Sequence, residues 1–321
     1  LQWWTMKIVL SLIVRNSAER LGKIFEKVLE SSLIVPYDSI IVIDDSTSEN
    51  TKNIIINFAS NHDKELIISK SNTYGYHKPT RATARQTAID IFLNNFSGNY
   101  TWIFFLDDDV TLNRNFWNAA QLFINNDNVG IITGIAILID PILYKYAKLR
   151  KTTPLRSFII SVINRGFTGD TLFKRKALKD VRVKYGIIPP YLHEYEDAWL
   201  FYKIKCLHYK YIIIPTLSYH FNIQYWEIFR SLKNPIYLYK LGLNNDAYIP
   251  NVLKYYETIG RMLVFLFSYI SDLFNRMRKM NKDIDVAKMI RMESRIIGSY
   301  TLWAIMRVFY GKPGDYCDET Y

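Results

Sequence analysis

Cysteine is nearly absent: the chain of 321 residues has two, Cys206 and Cys317. Their separation matches neither a zinc-ligand nor a dithiol redox spacing, so a cysteine-built metal centre is excluded and a reducing compartment is expected. Long apolar runs are missing too. Stretches such as MLVFLF from Met262 fall far short of the ~20 residues that span a bilayer. Nothing at the start reads as a secretory signal, which points to a cytoplasmic protein. No His-Glu-x-x-His occurs, so a zinc hydrolase has no support. The segment VRNSAERLGK lacks the Gly-rich loop and lysine that a nucleotidyltransferase wants after its first strand. Internal repeats and low-complexity segments are absent as well.

What is present is cationic and aromatic. Apolar residues make up 49%, ordinary for a protein with a real core, and there are 24 Tyr and 18 Phe. Most of these aromatics are expected to pack in the core, with sugar stacking or membrane contact as the alternative uses. A net charge of +11 predicts an anionic partner. Lys and Arg are spread along the chain, densest between Arg276 and Lys288, so no concentrated nucleic-acid patch forms. A local anion site plus a basic surface fits better.

The first half alternates strand-like and helix-like segments. KIVLSLIV (Lys7 to Val14) reads as a buried strand. SAERLGKIFEKVLESS follows as a helix, with Leu21, Ile24, Phe25, Val28 and Leu29 on one face and Ser17 as N-cap. SIIVIDD, ELIISK and YTWIFFLDDD read as further strands, and TKNIIINFAS and TRATARQTAIDIFLNNF as the helices between them. This rhythm predicts an α/β protein with a mostly parallel, helix-covered sheet whose ligands bind beyond the carboxyl ends of the strands. Later, GIITGIAILI reads as a strand, RGFTGDTLFKRKAL as a Gly-bearing loop running into a basic stretch, and KYIIIP as a strand stopped by Pro215. HEYEDAWLFYKIKCL reads as an acidic turn entering a helix.

Acids collect at the predicted ligand edge. In FFLDDDVTL, Asp107 and Asp109 share one side of the strand end and Asp108 faces away. Two hard oxygen ligands suit Mg²⁺ or Mn²⁺, which keep coordination sites for water and substrate phosphates. Asp44 and Asp45 close another strand, placed to accept hydrogen bonds from a base or ribose, or to cap the next helix. Arg81 and Arg85 are four apart on one helix face and suit a diphosphate clamp or a surface ion pair. Glu194, Glu196 and Asp197 offer a general base, or simply acids at a helix start. His220 offers an imidazole to a metal.

Taken together, these segments resemble the family 2 glycosyltransferases of GT-A fold over roughly residues 6–220. SLIVRNSAERL resembles their opening strand and nucleotide loop, which assigns Val14, Arg15 and Asn16 to the nucleotide sugar. VIDDSTSENT is similar to their VDDGSTDGT, ATARQTAI to GARNxGI, FFLDDDV to the D-x-D motif, HEYEDAWL to the E-D motif, and PTLSYH to a late histidine. The resemblance implies that Asp44 or Asp45 holds the base and that Asp107 approaches ribose or metal. Asp108 falls in the same nucleotide-sugar region. Asp109 would bind metal under the diphosphate, with His220 as a further ligand and Asp197 as catalytic base. Gly169, Asp170, Glu196 and Trp199 would shape the donor-sugar and acceptor pocket. Three departures stand out: Ser46 replaces Gly, Gln86 replaces Asn, and VRN replaces TYN.

The implied protein is a metal-dependent, inverting transferase acting from a nucleotide-diphosphate sugar onto a glycan or lipid-linked hydroxyl. Residues 1–224 would form the catalytic domain, with a nucleotide-sugar half to about 110 and an acceptor half after it. Residues 225–321 would form a helical appendage, similar to those of rhamnosyl- and galactofuranosyl-type members. The stretch VLKYYETIGRMLVFLFSYISDLFNRMRK suits an anionic membrane surface, making the protein peripheral on a membrane, or a partner subunit in a homo-oligomer. Two other readings remain. FFLDDDVTL also fits the first motif of haloacid-dehalogenase-like phosphatases, with Asp107 as nucleophile, but GDTLFK ends in Lys174 where that family wants a second acid. A non-catalytic sugar-nucleotide-binding relative is the other.

Overall fold

In the computed structural model, the residues described are 7–96, 98–139, 169–193 and 195–221, with single positions 271, 275 and 317. The predicted C-terminal helices and Glu194 lie outside them. The chain divides into two compact units, Leu1–Ile137 with Gly166–Ile223, and Leu138–Arg165 with Gln224–Tyr321. The sheet and its flanking helices belong to the first unit.

Eight strands form one mixed sheet: β1 (Lys7–Val14), β2 (Ser39–Asp44), β3 (Glu65–Ser69), β4 (Tyr100–Asp107), β5 (Val110–Thr111), β6 (Val129–Leu138), β7 (Asp170–Lys174) and β8 (Lys210–His220). Their order is β3-β2-β1-β4-β7-β6-β8-β5. The first four are mutually parallel, and β7 runs antiparallel to both β4 and β6. The helices are α1 (Ser17–Leu21), α2 (Lys23–Ser32), α3 (Asn50–Asn61), α4 (Arg81–Asn95), α5 (Phe116–Ala120), α6 (Arg175–Tyr185) and α7 (Glu196–Cys206). Residues 8–10 and 102–106 are almost wholly buried, as near-continuous apolar runs in a helix-covered parallel sheet should be.

Register sets the functional edge. Val14 pairs with Asp44, and Ile13 with both Ile43 and Asp107, so β1, β2 and β4 end side by side.

Several elements differ from the sequence reading. The first helix is two, broken at Gly22 (φ 53°, ψ −130°), and its N-cap is Asn16 rather than Ser17. The run DTLFKRKAL is a buried strand followed by a helix, not a loop entering a basic stretch. β8 continues through Pro215 to His220. Pro215 lies outside the pairing of β8 with β5, which engages only Tyr219 and His220. Neither cysteine is a free thiol: Cys206 and Cys317 are both disulfide-bonded. That corrects the expectation of reduced thiols and removes the cysteine argument for a reducing compartment. Among the described residues no helix is long and apolar enough to cross a membrane.

Candidate active site

The loops that follow β1 and β2 are tied together by side chains. Asn16 takes a left-handed backbone (φ 52°), which asparagine tolerates better than most residues. Its amide N–H donates to Ser46 Oγ at 2.7 Å, and its Oδ1 accepts from the Thr47 N–H at 2.9 Å. Asp44 Oδ1 accepts from the Ser46 N–H at 2.8 Å. Ser46, the departure from glycine, therefore uses its hydroxyl to staple the two loops. Asp45 reaches past the end of β3, accepting from the Ser71 N–H at 3.1 Å and the Ser71 hydroxyl at 2.5 Å. Val14 is buried, Arg15 exposed, and Asp45 half-buried.

The three consecutive acids each meet a different nitrogen-bearing side chain, or two groups in the case of Asp108, which offsets the cost of placing them at the end of a buried strand. Asp107 Oδ1 lies 3.7 Å from Arg85 Nη2 of α4. Asp108 turns to α1, where it accepts from the Ser17 hydroxyl and pairs with Arg20. Asp109 lies 3.1 Å from His220 Nε2. This last contact follows from the register of β5 on β8, where Val110 pairs with His220 and the Phe221 N–H donates to the Asp109 carbonyl at 2.7 Å.

The electrostatics differ at each acid. Burial, then the neighbouring Asp109, push the Asp108 carboxyl up to about 6, with Arg20 opposing. Burial also works against an ionised Asp109, but His220, Arg81 and Arg20 outweigh it and hold the carboxyl below its usual range. His220 is raised: burial lowers it, and Asp109 and then Asp107 overcome that.

The E-D turn sits close by. Tyr195, the N-cap of α7, is left-handed (φ 68°), an uncommon state for a bulky residue that directly precedes the two acids. Glu196 Oε1 lies 3.2 Å from Arg85 Nη2. Asp197 is 9% exposed and its Oδ1 accepts from the Ala198 N–H at 2.7 Å. Burial, then Asp197, raise the Glu196 carboxyl, with Arg85 and Arg81 opposing. Arg81, exposed in the first turn of α4, thus acts on both acidic segments.

Gly169 anchors Asp107 by accepting its N–H at 3.0 Å. Asp170, the first residue of β7, is wholly buried with its carboxyl close to Gly134 of β6, and Trp199 is 4% exposed inside α7. Both side chains are buried. Gln86 uses its extra methylene over asparagine to accept from the Ile188 N–H at 3.0 Å, while its Nε2 donates to Asp90 at 2.8 Å. Sequence reasoning missed Ser17 and Arg20 as partners of Asp108. Their only signal was an i, i+3 spacing on one helix face. Lys174 pairs with Trp102 at the far end of β4 and binds Asp127 at 3.0 Å. It is therefore remote from Asp107, where the phosphatase reading needs a lysine.

A family profile described as glycosyl transferase family 2 matches residues 11–186, more than half of the chain. The chain belongs to glycosyl transferase family 2. The matched span includes Asp107–Asp109 and stops short of Glu196, Asp197 and His220. A sequence search of curated proteins returns no match. Among solved structures, the chain is similar to a mannosyltransferase from Pyrobaculum calidifontis in complex with GDP-Man and Mn²⁺. The TM-score is 0.52 at 12% identity, covering 95% of this chain and 87% of that one. It is also similar to S. aureus TarS 1–349 in complex with UDP-GlcNAc, with a TM-score of 0.50 at 16% identity, covering 95% and 92%. At these identities the likeness is one of fold, and it is the GT-A fold.

The donor set suits a hard divalent ion. Among the described residues no three His, Cys, Asp or Glu side chains converge on one point. Asp109 and His220, 3.1 Å apart at the strand edge, are placed where they could hold an ion that takes one or two protein ligands and fills its shell with water and phosphate oxygens.

Proposed function

We propose that this glycosyltransferase is inverting and metal-dependent. It would move a hexosyl unit from a UDP-, GDP- or dTDP-linked donor to a hydroxyl of a glycan or lipid-linked acceptor. The observation that carries this reading is Arg85 lying against both Asp107 and Glu196, which brings the D-x-D segment and the E-D turn to one site. The complexes of the two structural neighbours with GDP-Man and UDP-GlcNAc support a nucleotide-sugar donor.

The donor lies across the ends of β1, β2 and β4. Asp44 and Asp45, in the loops stapled by Asn16 and Ser46, face base and ribose, while Arg81 meets the diphosphate. Asp109 and His220, with Asp107 alongside, would hold a divalent ion, Mn²⁺ or Mg²⁺, whose charge would offset the negative charge of the departing diphosphate. The acceptor oxygen attacks the anomeric carbon as the bond from that carbon to the phosphate oxygen breaks. Asp197 takes the hydroxyl proton, the nucleoside diphosphate leaves, and attack from the opposite face inverts the carbon. The basic stretch between Arg276 and Lys288 extends the reading to an anionic membrane surface, with self-association as the other use of that region.

The test has two arms. UDP or GDP with Mn²⁺ should raise the unfolding temperature of the native protein, since a ligand of the folded state at ~100 Kd adds about 2.7 kcal/mol. Asp197→Asn should keep that shift and lose sugar transfer by at least ~10²-fold. Transfer by the Asn variant at the native rate removes Asp197 as base. No shift with any nucleoside diphosphate removes the donor site.

A further inference from the structure

Arg85 reads from sequence as half of a diphosphate clamp, and the structure gives it other work. It sits in the second turn of α4 with only 4% of its side chain exposed. Its guanidinium carbon lies 5.1 Å from the centroid of the Phe105 ring, so the fork is laid against β4. Nη2 holds Glu196 at 3.2 Å and stands 3.7 Å from Asp107, beyond hydrogen-bond length. Nε and Nη1 are buried without a hydrogen-bond partner among the described residues. A guanidinium carries five donors, so this one has capacity left over to take Asp107 without releasing Glu196.

The same helix start organises the whole segment that leads to the base. Thr80, its N-cap, donates its hydroxyl proton to the Pro190 carbonyl at 2.8 Å. The Ala82 N–H donates to the Leu192 carbonyl at 3.3 Å, and Gln86 accepts from the Ile188 N–H. Arg85 on Glu196 is the last contact of this series, one residue before Asp197. The left-handed Tyr195 in between needs surroundings that over-determine it, and these contacts supply them.

We propose that Arg85 is a positioning residue that fixes the Tyr195–Asp197 turn through Glu196 and ties it to the D-x-D end through Asp107, rather than a ligand of the donor diphosphate. The proposal rests on Asp197 being the base. Donor site and base turn then share one rigid support, and an ordered Asp107 is linked to an ordered Asp197. A misplacement of ~1 Å at a reacting group costs on the order of 10²-fold in rate, which is the scale of effect such a support controls.

The experiment uses the full chain with Arg85→Lys, which keeps the charge and loses the fork, Glu196→Gln, which keeps the shape and loses the charge, and the double variant. In the unliganded protein, amide hydrogen exchange at Tyr195–Trp199 should quicken in both single variants while the β1 amides stay protected. In the Mn²⁺-dependent release of nucleoside diphosphate from UDP-GlcNAc or GDP-Man, kcat should fall between about tenfold and a hundredfold. Affinity for UDP or GDP should stay within about twofold. The double variant should lose no more than the worse single, as expected for two groups acting as one unit. Unchanged exchange at Tyr195–Trp199 overturns the proposal, as does an Arg85→Lys variant whose nucleoside diphosphate affinity falls as far as its kcat. If the native protein binds no nucleoside diphosphate, the transferase reading fails instead, and the exchange result still decides whether Arg85 orders the turn.

Discussion

Asp170 is the acid with the least compensation in the site. It is wholly buried, with Thr133 Oγ1 at 3.4 Å as a weak donor. A side chain at Gly134 would place its Cβ 2.3 Å from Asp170 Oδ2, so the glycine is there to admit the carboxyl. Burial pushes this carboxyl up to about 7; Ser218 and Thr133 oppose that, and Asp107 adds to it. Below pH ~4 both folded and unfolded chains hold the proton and the group is neutral toward stability. From there to about pH 7 the unfolded chain ionises while the folded one does not, so stability falls as pH rises. The gap between 3.8 and about 7 caps the effect at roughly 4 kcal/mol. Asp170→Asn, which cannot ionise, should match the native unfolding temperature most closely near pH 4 and gain on it steadily toward pH 8. A constant offset across that range would show that Asp170 titrates normally.

At the scale of elements, what the sequence made legible was whatever buried periodicity governs. β1 and α4 fall where the buried apolar run and the helix-like segment put them. Three features escaped for physical reasons. Gly22 splits a helix that a continuous apolar face concealed, because a periodic pattern does not register one residue with φ 53°. β7 is five residues long and opens on an acid, so nothing in DTLFK announces a strand buried on every side. Pro215 reads as a stop yet lies in the middle of β8, because strand continuity is set by the neighbouring strands and not by the local sequence. The motifs themselves were legible, but their partners were not: nothing local assigns Arg20 to Asp108 or Arg85 to Glu196, contacts 88 and 111 residues apart. The break at Gly22 offers a clean measurement, since a Cβ there meets nothing within 4 Å. Gly22→Ala should therefore cost only backbone strain, about 1–3 kcal/mol. Denaturant unfolding checks this, with a lower midpoint and an unchanged slope. A stabilised variant would mean that α1 and α2 prefer to be one helix.

For the whole molecule, the placing of the site in the chain matters more than its charge. The acids proposed for the donor site, Asp44, Asp45, Asp107 and Asp109, the proposed base Asp197 and His220 all belong to the first compact unit, although residues 138–165 of the second interrupt it in sequence. The eight strands described in the sheet lie before residue 223, so a chain that stops there keeps the strand ends proposed for the donor while losing the disulfide-bonded Cys317. The net charge of +11 is shared with the remainder, whose basic stretch Arg276–Lys288 is proposed for an anionic surface and not for the donor. A chain ending at Ile223 should therefore still bind UDP or GDP with Mn²⁺, read as a ligand-dependent rise in unfolding temperature. The full chain should associate at low salt with vesicles rich in anionic lipid and the truncated chain should not, because the proposed attraction would be carried by the removed lysines and arginines and is screened within about 10 Å at 0.1 M salt. Donor binding that disappears with the tail would place part of the nucleotide site beyond residue 223. Vesicle binding that survives the truncation would assign the membrane contact to the catalytic unit itself.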